Sequence, residues 1–186
     1  PVCEKMTYNP KLKPQIVIVP NGTEDYNEFA GLIRLPDKII NETIATPETI
    51  ISHEFTHIIN RELTRENLVT WLDEGIAVYI ETFISGKERF NIEDKKYDYT
   101  YHIDELENNF SNIPGDEGYC QAYITVKFIT THYDEETLLK IINELKDERI
   151  TEEKLFIKYL GLNYKELYQK LVDYKKELRE SQKNIT

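Results

Sequence analysis

The residues best equipped for chemistry are His53, Glu54 and His57, which stand together as HEFTH. Positions four apart on a helix lie about 40° from one another, so His53 and His57 share a face and can offer two imidazoles to one metal ion. Glu54 sits beside them, where a carboxylate can handle a proton. A catalytic zinc site uses three protein ligands and leaves a fourth position for water, so the pair needs a partner. Glu74, Glu81, His102 and His132 are the candidates. Five letters also arise on helices whose histidines are merely solvated or packed in a core, and the surrounding elements decide between the readings.

Thr46-Pro47-Glu48 is a helix start: a capping hydroxyl, a proline at the first helical position and an acid against the positive end of the dipole. The helix is expected to run to about Glu62, with Ile51, Phe55, Ile58 and Ile59 as its apolar stripe and the two histidines on a different strip. A second helix is expected from near Trp71, capped by Thr70, to about Ile84 before Ser85-Gly86. Leu72, Ile76, Tyr79, Ile80 and Phe83 would pack it, leaving Glu74, Val78 and Glu81 on a common face. Two antiparallel helices joined by a short polar stretch return WLDEG to the side of HEFTH, and of the four candidates this places Glu74 best. Asp73-Glu74 alone would read as acids decorating a helix N-terminus; their spacing from HEFTH favours the ligand.

Elsewhere, Gln15 to Pro20 reads as a buried strand, Thr23 to Phe29 as a short helix, and LIRL and KIIN, on either side of Pro36-Asp37, as two more strands. Gly86 to Gly118 reads mainly as an elaborated, tyrosine-rich loop with a helix near Ile103 to Phe110. Tyr119 to Thr131, Glu135 to Lys146, Glu152 to Leu160 and Tyr164 to Leu178 read as helices. The expected fold is α+β: a small N-terminal mixed sheet with the HExxH helix, then a mainly helical C-terminal lobe. A single domain spans 1–186, with lobes of about 1–62 and 63–186 and a cleft between them.

Composition bounds the function. A chain of 186 residues with 40% hydrophobic and 31% charged residues is an ordinary globular protein. No apolar run approaches the roughly 18 residues a membrane span needs. With 23 basic and 34 acidic residues, the net charge of -11 repels phosphate backbones and argues against nucleic-acid binding. Cys3 and Cys120 make neither a disulfide framework nor a CxxC metal site, and their pairing is left open. The chain begins Pro1-Val2-Cys3 with neither an initiator Met nor a signal peptide, which fits a trimmed N-terminus and leaves the compartment open. Oligomeric state is likewise open.

HEFTH followed after sixteen residues by the Glu of WLDEGIAVYIE resembles the gluzincin zinc peptidases, the thermolysin-like clan, and in particular its short peptidase MA-like members. YCQAYITVKFI, residues 119–129, resembles their tyrosine helix, and TEEKLFIKYLGLNYKELYQKLVDYKKEL their C-terminal helices, so the resemblance covers about Ala45 to Leu178. WLDEGIAVYIE is also similar to the matching segment of the clan's zinc aminopeptidases. The resemblance implies one Zn2+ per chain on His53, His57 and Glu74, a peptide or protein substrate, and Glu54 as general base. Glu54 would take a proton from zinc-bound water, the hydroxide would attack a carbonyl, and the proton would pass to the leaving amine. It also implies Tyr119 as donor to the oxyanion, with Tyr123 the alternative.

Glu81 and Asp73 are either acceptors for the ligand imidazoles or surface acids. The aspartate that thermolysin-like enzymes carry four residues beyond the ligand glutamate is Val78 here, which puts the kinship at clan level. No segment upstream of HEFTH resembles the one with which the clan's aminopeptidases hold a free amine, and this tilts the reading towards an endopeptidase. A catalytically silent or exopeptidase-type relative acting as a peptide-binding module is the alternative. In such enzymes a sheet edge binds peptide by strand addition, with LIRL or KIIN as the candidate edge, and Tyr97 to His102 could wall the cleft. Cys3 raises the further idea of a thiolate closing the metal's open position.

Overall fold

β-Branched residues make a small sheet. In this computed structural model, which describes residues 2–19, 25–27, 32–36 and 46–183, the strands are β1 (Gln15–Val19), β2 (Asp25–Asn27) and β3 (Leu32–Pro36). Their order is β1-β3-β2, with β1 parallel and β2 antiparallel to β3, so the sheet is mixed as expected. Alternation along β3 puts Ile33 and Leu35 on one face, where both are buried against Ile50 and Ile58 of the helix that carries HEFTH.

Three expectations change here. LIRL is the central strand, its backbone bonded to neighbours on both sides, so it cannot be the free edge for a peptide; KIIN, residues 38–41, lies outside the described residues. The segment expected as a helix from Thr23 is extended where it is described, at Asp25–Asn27. β1 is not buried: Ile16 is 51% and Ile18 46% exposed, because the buried cluster under α2 is formed by Ile33 and Leu35 of β3 and does not extend to β1.

α1 (Val2–Lys5) inserts Val2 into the helical core together with the following Met6. Glu62 then straps the next segment to the HEFTH helix, accepting from the Tyr8 hydroxyl and from the backbone N–H groups of Lys11 and Leu12. Cys3 packs against the core and Cys120 is buried, both as free thiols. Among the described residues neither belongs to a cluster of possible metal-binding groups, so the idea of Cys3 as a closing thiolate finds no support there.

α2 (Pro47–Thr64) starts as its sequence dictates, with the Thr46 side chain accepting from the Thr49 N–H and Pro47 in the first turn. Left-handed Arg65 and Glu66 stop it and turn the chain back. α3 (Thr70–Ser85) follows antiparallel, but Val69 rather than Thr70 holds the cap position, without a side-chain cap bond. Trp71, Leu72, Ile76, Val78 and Ile80 are buried, whereas Phe83, expected in the core, is 54% exposed beneath the Lys5 ammonium. α2 thus has two apolar sides: Ile50 and Ile58 face the sheet, and Ile59 joins the helical core.

That core is built by α3 with α4 (Ile103–Asn109), α5 (Glu117–His132), α6 (Glu135–Glu144), α7 (Glu152–Leu160) and α8 (Tyr164–Lys183). The result is an α+β fold with a mainly helical lobe. The tyrosine-rich stretch is fastened to α5 and α8: Tyr101 donates to Glu117, His102 stacks on Tyr168 at 3.8 Å, and Lys175 donates to the Tyr99 carbonyl. Among the described residues no helix is long and apolar enough to cross a membrane.

Candidate metal centre

The antiparallel return of α3 brings Glu74 opposite the two histidines of α2. Glu74 Oε2 lies 3.2 Å from His53 Nε2 and 3.6 Å from His57 Nε2, with the imidazoles 4.9 Å apart at 79° to each other. The outer nitrogens are held as well. His53 Nδ1 is 3.3 Å from Glu81 Oε2, and His57 Nδ1 is 2.8 Å from Asp73 Oδ2, whose other oxygen accepts from Asn60 Nδ2 at 2.7 Å. Each Nδ1 faces an acid and each Nε2 faces Glu74; with Nδ1–H given to its acid, the Nε2 lone pair is the one a metal ion would take in place of a proton.

This set fits a small tetrahedral cation. Ligand atoms about 2.0–2.1 Å from one such ion lie about 3.4 Å apart, and the separations of 3.2 and 3.6 Å from Glu74 Oε2 bracket that value. One ligand atom from each of His53, His57 and Glu74 falls within 4.8 Å of the others, and among the described residues no other group of three could hold a metal ion. Of the other candidates, Glu81 stands behind His53, His102 is stacked on Tyr168, and His132 sits between Phe128 and Tyr174 with Nδ1 on the Phe128 carbonyl.

The electrostatics are those of a site with surplus acid. Burial alone would lower the His53 pKa, but hydrogen bonds to Glu74 and Glu81 and the charges of Glu74 and Glu54 raise it to about 9. His57 is raised in the same way, burial being outweighed by Asp73 and Glu74. Burial would push Glu81 up, yet the bond to His53 and the charge of Arg89 hold it below the usual carboxylate range. Protons gather on these rings because four carboxylates surround them, and a divalent cation would satisfy the same surplus.

Glu54, one residue after His53, is half-buried, and its charge is felt by both His53 and Tyr119. Tyr119, in the first turn of α5, is half-buried with its ring against Phe110. Burial raises its pKa, and Glu74 and Glu54 add to the rise. Tyr123 is buried and its hydroxyl donates to Glu88. Two participants escaped the sequence reading. Asn60, three residues after His57 and hence on its face, was legible in principle. Arg89, which donates to Glu81 Oε2 at 2.7 Å, lies beyond the end of α3 where no periodicity applies.

Two histidines and a glutamate on adjacent helices, each imidazole backed by an acid, form a site of the metal-dependent peptidase type. The family model of the Peptidase MA superfamily matches residues 33–174, well over half the chain and both site helices, and the chain belongs to that superfamily. No curated protein and no solved structure matches it.

Proposed function

We propose that this chain is a zinc-dependent peptidase cutting internal peptide bonds, with His53, His57 and Glu74 as the ligands of one Zn2+ and Glu54 as general base. The convergence of both Nε2 atoms on Glu74 Oε2, with both Nδ1 atoms held by acids, carries the reading. Two imidazoles and one carboxylate are a donor set suited to zinc, and three ligands leave one position for water. When bound, the ion supplies Lewis acidity and a water of lowered pKa.

The chain's own residues do the rest. Glu54 removes the proton from the attacking water and delivers it to the leaving amine. Tyr119, whose raised pKa keeps it protonated at neutral pH, donates its O–H to the developing oxyanion. Asp73 and Glu81 hold the imidazoles in one tautomer and one orientation. One catalytic domain spans the chain, and the peptide lies in a cleft between the sheet with α2 and the helical lobe, along β1 or β2 now that β3 is central.

The test is Glu54→Gln on zinc-loaded protein with a broad peptide library. The expected result is loss of hydrolysis with one zinc per chain retained by elemental analysis. Hydrolysis that survives the change, or zinc lost with it, would remove Glu54 from this role.

A further inference from the structure

We propose that Arg89 recognises a carboxylate on the substrate, either an acidic side chain next to the scissile bond or a peptide's terminal carboxylate; this rests on the peptidase reading of the same site. Left-handed Gly86 (φ 65°) ends α3 and turns the chain so that Arg89 comes back along the helix to Glu81. Its neighbours are anchored. Glu88 is held by the Tyr123 hydroxyl and by Lys127, and Phe90 is buried against Tyr97 and Tyr123. A guanidinium set between two fixed residues loses little further freedom on binding, which favours recognition.

The placement is what a reader of anions needs. Arg89 Nη1 donates to Glu81, while Nε and Nη2, the edge that grips a carboxylate in two parallel bonds, have no acceptor among the described residues. The side chain is 39% exposed. Its charge is felt by Tyr119 on one side, and Glu81 links it to His53 on the other, so it stands at the site's rim. Glu81 is divided between His53 and Arg89 and does not offset the guanidinium alone. Lys127, the nearby cation, is already bound to Glu88. In a protein of net charge -11, Glu54, Asp73, Glu74 and Glu81 surround the metal position, so a substrate carboxylate lying beyond the metal would meet acids unless a second cation stood there, and Arg89 is placed to be it.

A purely structural Arg89 would only brace Glu81, and the experiment separates the two roles. Peptide pairs differing only in Glu or Gln beside the scissile bond, and pairs differing only in a free or amidated C-terminus, are given to zinc-loaded wild type, Arg89→Gln and Arg89→Lys. Gln removes the charge and shortens the side chain, and Lys keeps the charge without the fork. KM and kcat are measured for each pair, and calorimetric binding is measured in the Glu54→Gln background, where nothing is cleaved. The expected result is a preference of about tenfold or more for the carboxylate member, expressed in KM and in binding. Arg89→Gln abolishes the preference and Arg89→Lys keeps part of it; whatever is lost through Glu81 falls equally on both members of a pair, so their ratio reports the carboxylate contact alone. Preference confined to one kind of pair identifies the source of the carboxylate.

Equal treatment of both members by wild type, or an equal loss on both in Arg89→Gln, overturns the proposal. Cleavage without preference sinks the carboxylate site and spares the peptidase reading. Carboxylate-dependent binding without any cleavage does the reverse.

Discussion

Gly75 stands against the backbone of Ala122: a Cβ on Gly75 would lie 2.6 Å from the Ala122 carbonyl oxygen and 2.8 Å from its carbon. α3 and α5 therefore meet backbone to backbone, one residue after Glu74 and one turn after Tyr119. The closeness of that crossing sets how near the two side chains can come.

Gly75→Ala is expected to force the helices apart, because the obstacle is main chain and not the tip of a flexible side chain. Stability should fall by about 1–3 kcal/mol, the usual range for an overfilled core. Urea unfolding of the metal-free protein measures it, and an unchanged midpoint would show that the crossing has slack.

Asp73→Ala and Glu81→Ala should each weaken metal binding by about 10–100-fold without removing a ligand. The Asp73 change also leaves Asn60 Nδ2 without its acceptor, so it should unfold more easily of the two. Competition against a chromogenic chelator gives the affinities; wild-type affinity in both variants would reduce these acids to surface charges.

Tyr119→Phe keeps the ring against Phe110 and deletes only the hydroxyl. On the reading above, kcat falls by about 100-fold or more with KM and thermal stability nearly unchanged. Tyr123→Phe, which loses a bond to Glu88, should show the opposite pattern, intact turnover with lowered stability. A swap of these outcomes would hand the oxyanion role to Tyr123.

Lys175 makes stability depend on pH through a group outside the site. Burial pulls its ammonium from 10.5 down to about 8, although Nζ donates to the Tyr99 carbonyl. The folded chain therefore sheds a proton that the unfolded chain still holds between those values, and stability rises with pH across that window. The penalty is complete below about 8 and gone above 10.5. Stability curves of wild type and Lys175→Met, measured from pH 7 to 11, should shift towards wild type as pH rises, and parallel curves would refute the shift.

The ligand set was readable because it depends on local rules. Helical spacing paired His53 with His57, Thr46-Pro47 marked where α2 starts, and a short connection returned Glu74. The helical lobe followed from the same periodicity. What escaped depended on partners distant in sequence. β1 has the composition of a buried strand but lies at an edge, and only the pairing of Leu32–Pro36 with both neighbours reveals which strand is central. Phe83 has the right spacing for the core, yet among the described residues it stays 54% exposed with the Lys5 ammonium over its ring. Arg89 reaches Glu81 through a turn at Gly86, and no pattern of apolar residues encodes such a return.

The double packing of α2 bears on how this protein can change over time. Glu48 is the only residue between Pro47 and Thr64 that is exposed; most of the others answer to the sheet, to the helical core or to the metal site, and Glu62 holds the segment that leads into β1. A saturation-mutagenesis map should show this helix as intolerant along almost its whole length. New specificities would then arise not on the helix that carries HEFTH but at Arg89, exposed in the turn after α3, where a single replacement can alter what the site meets while the scaffold that builds it stays intact.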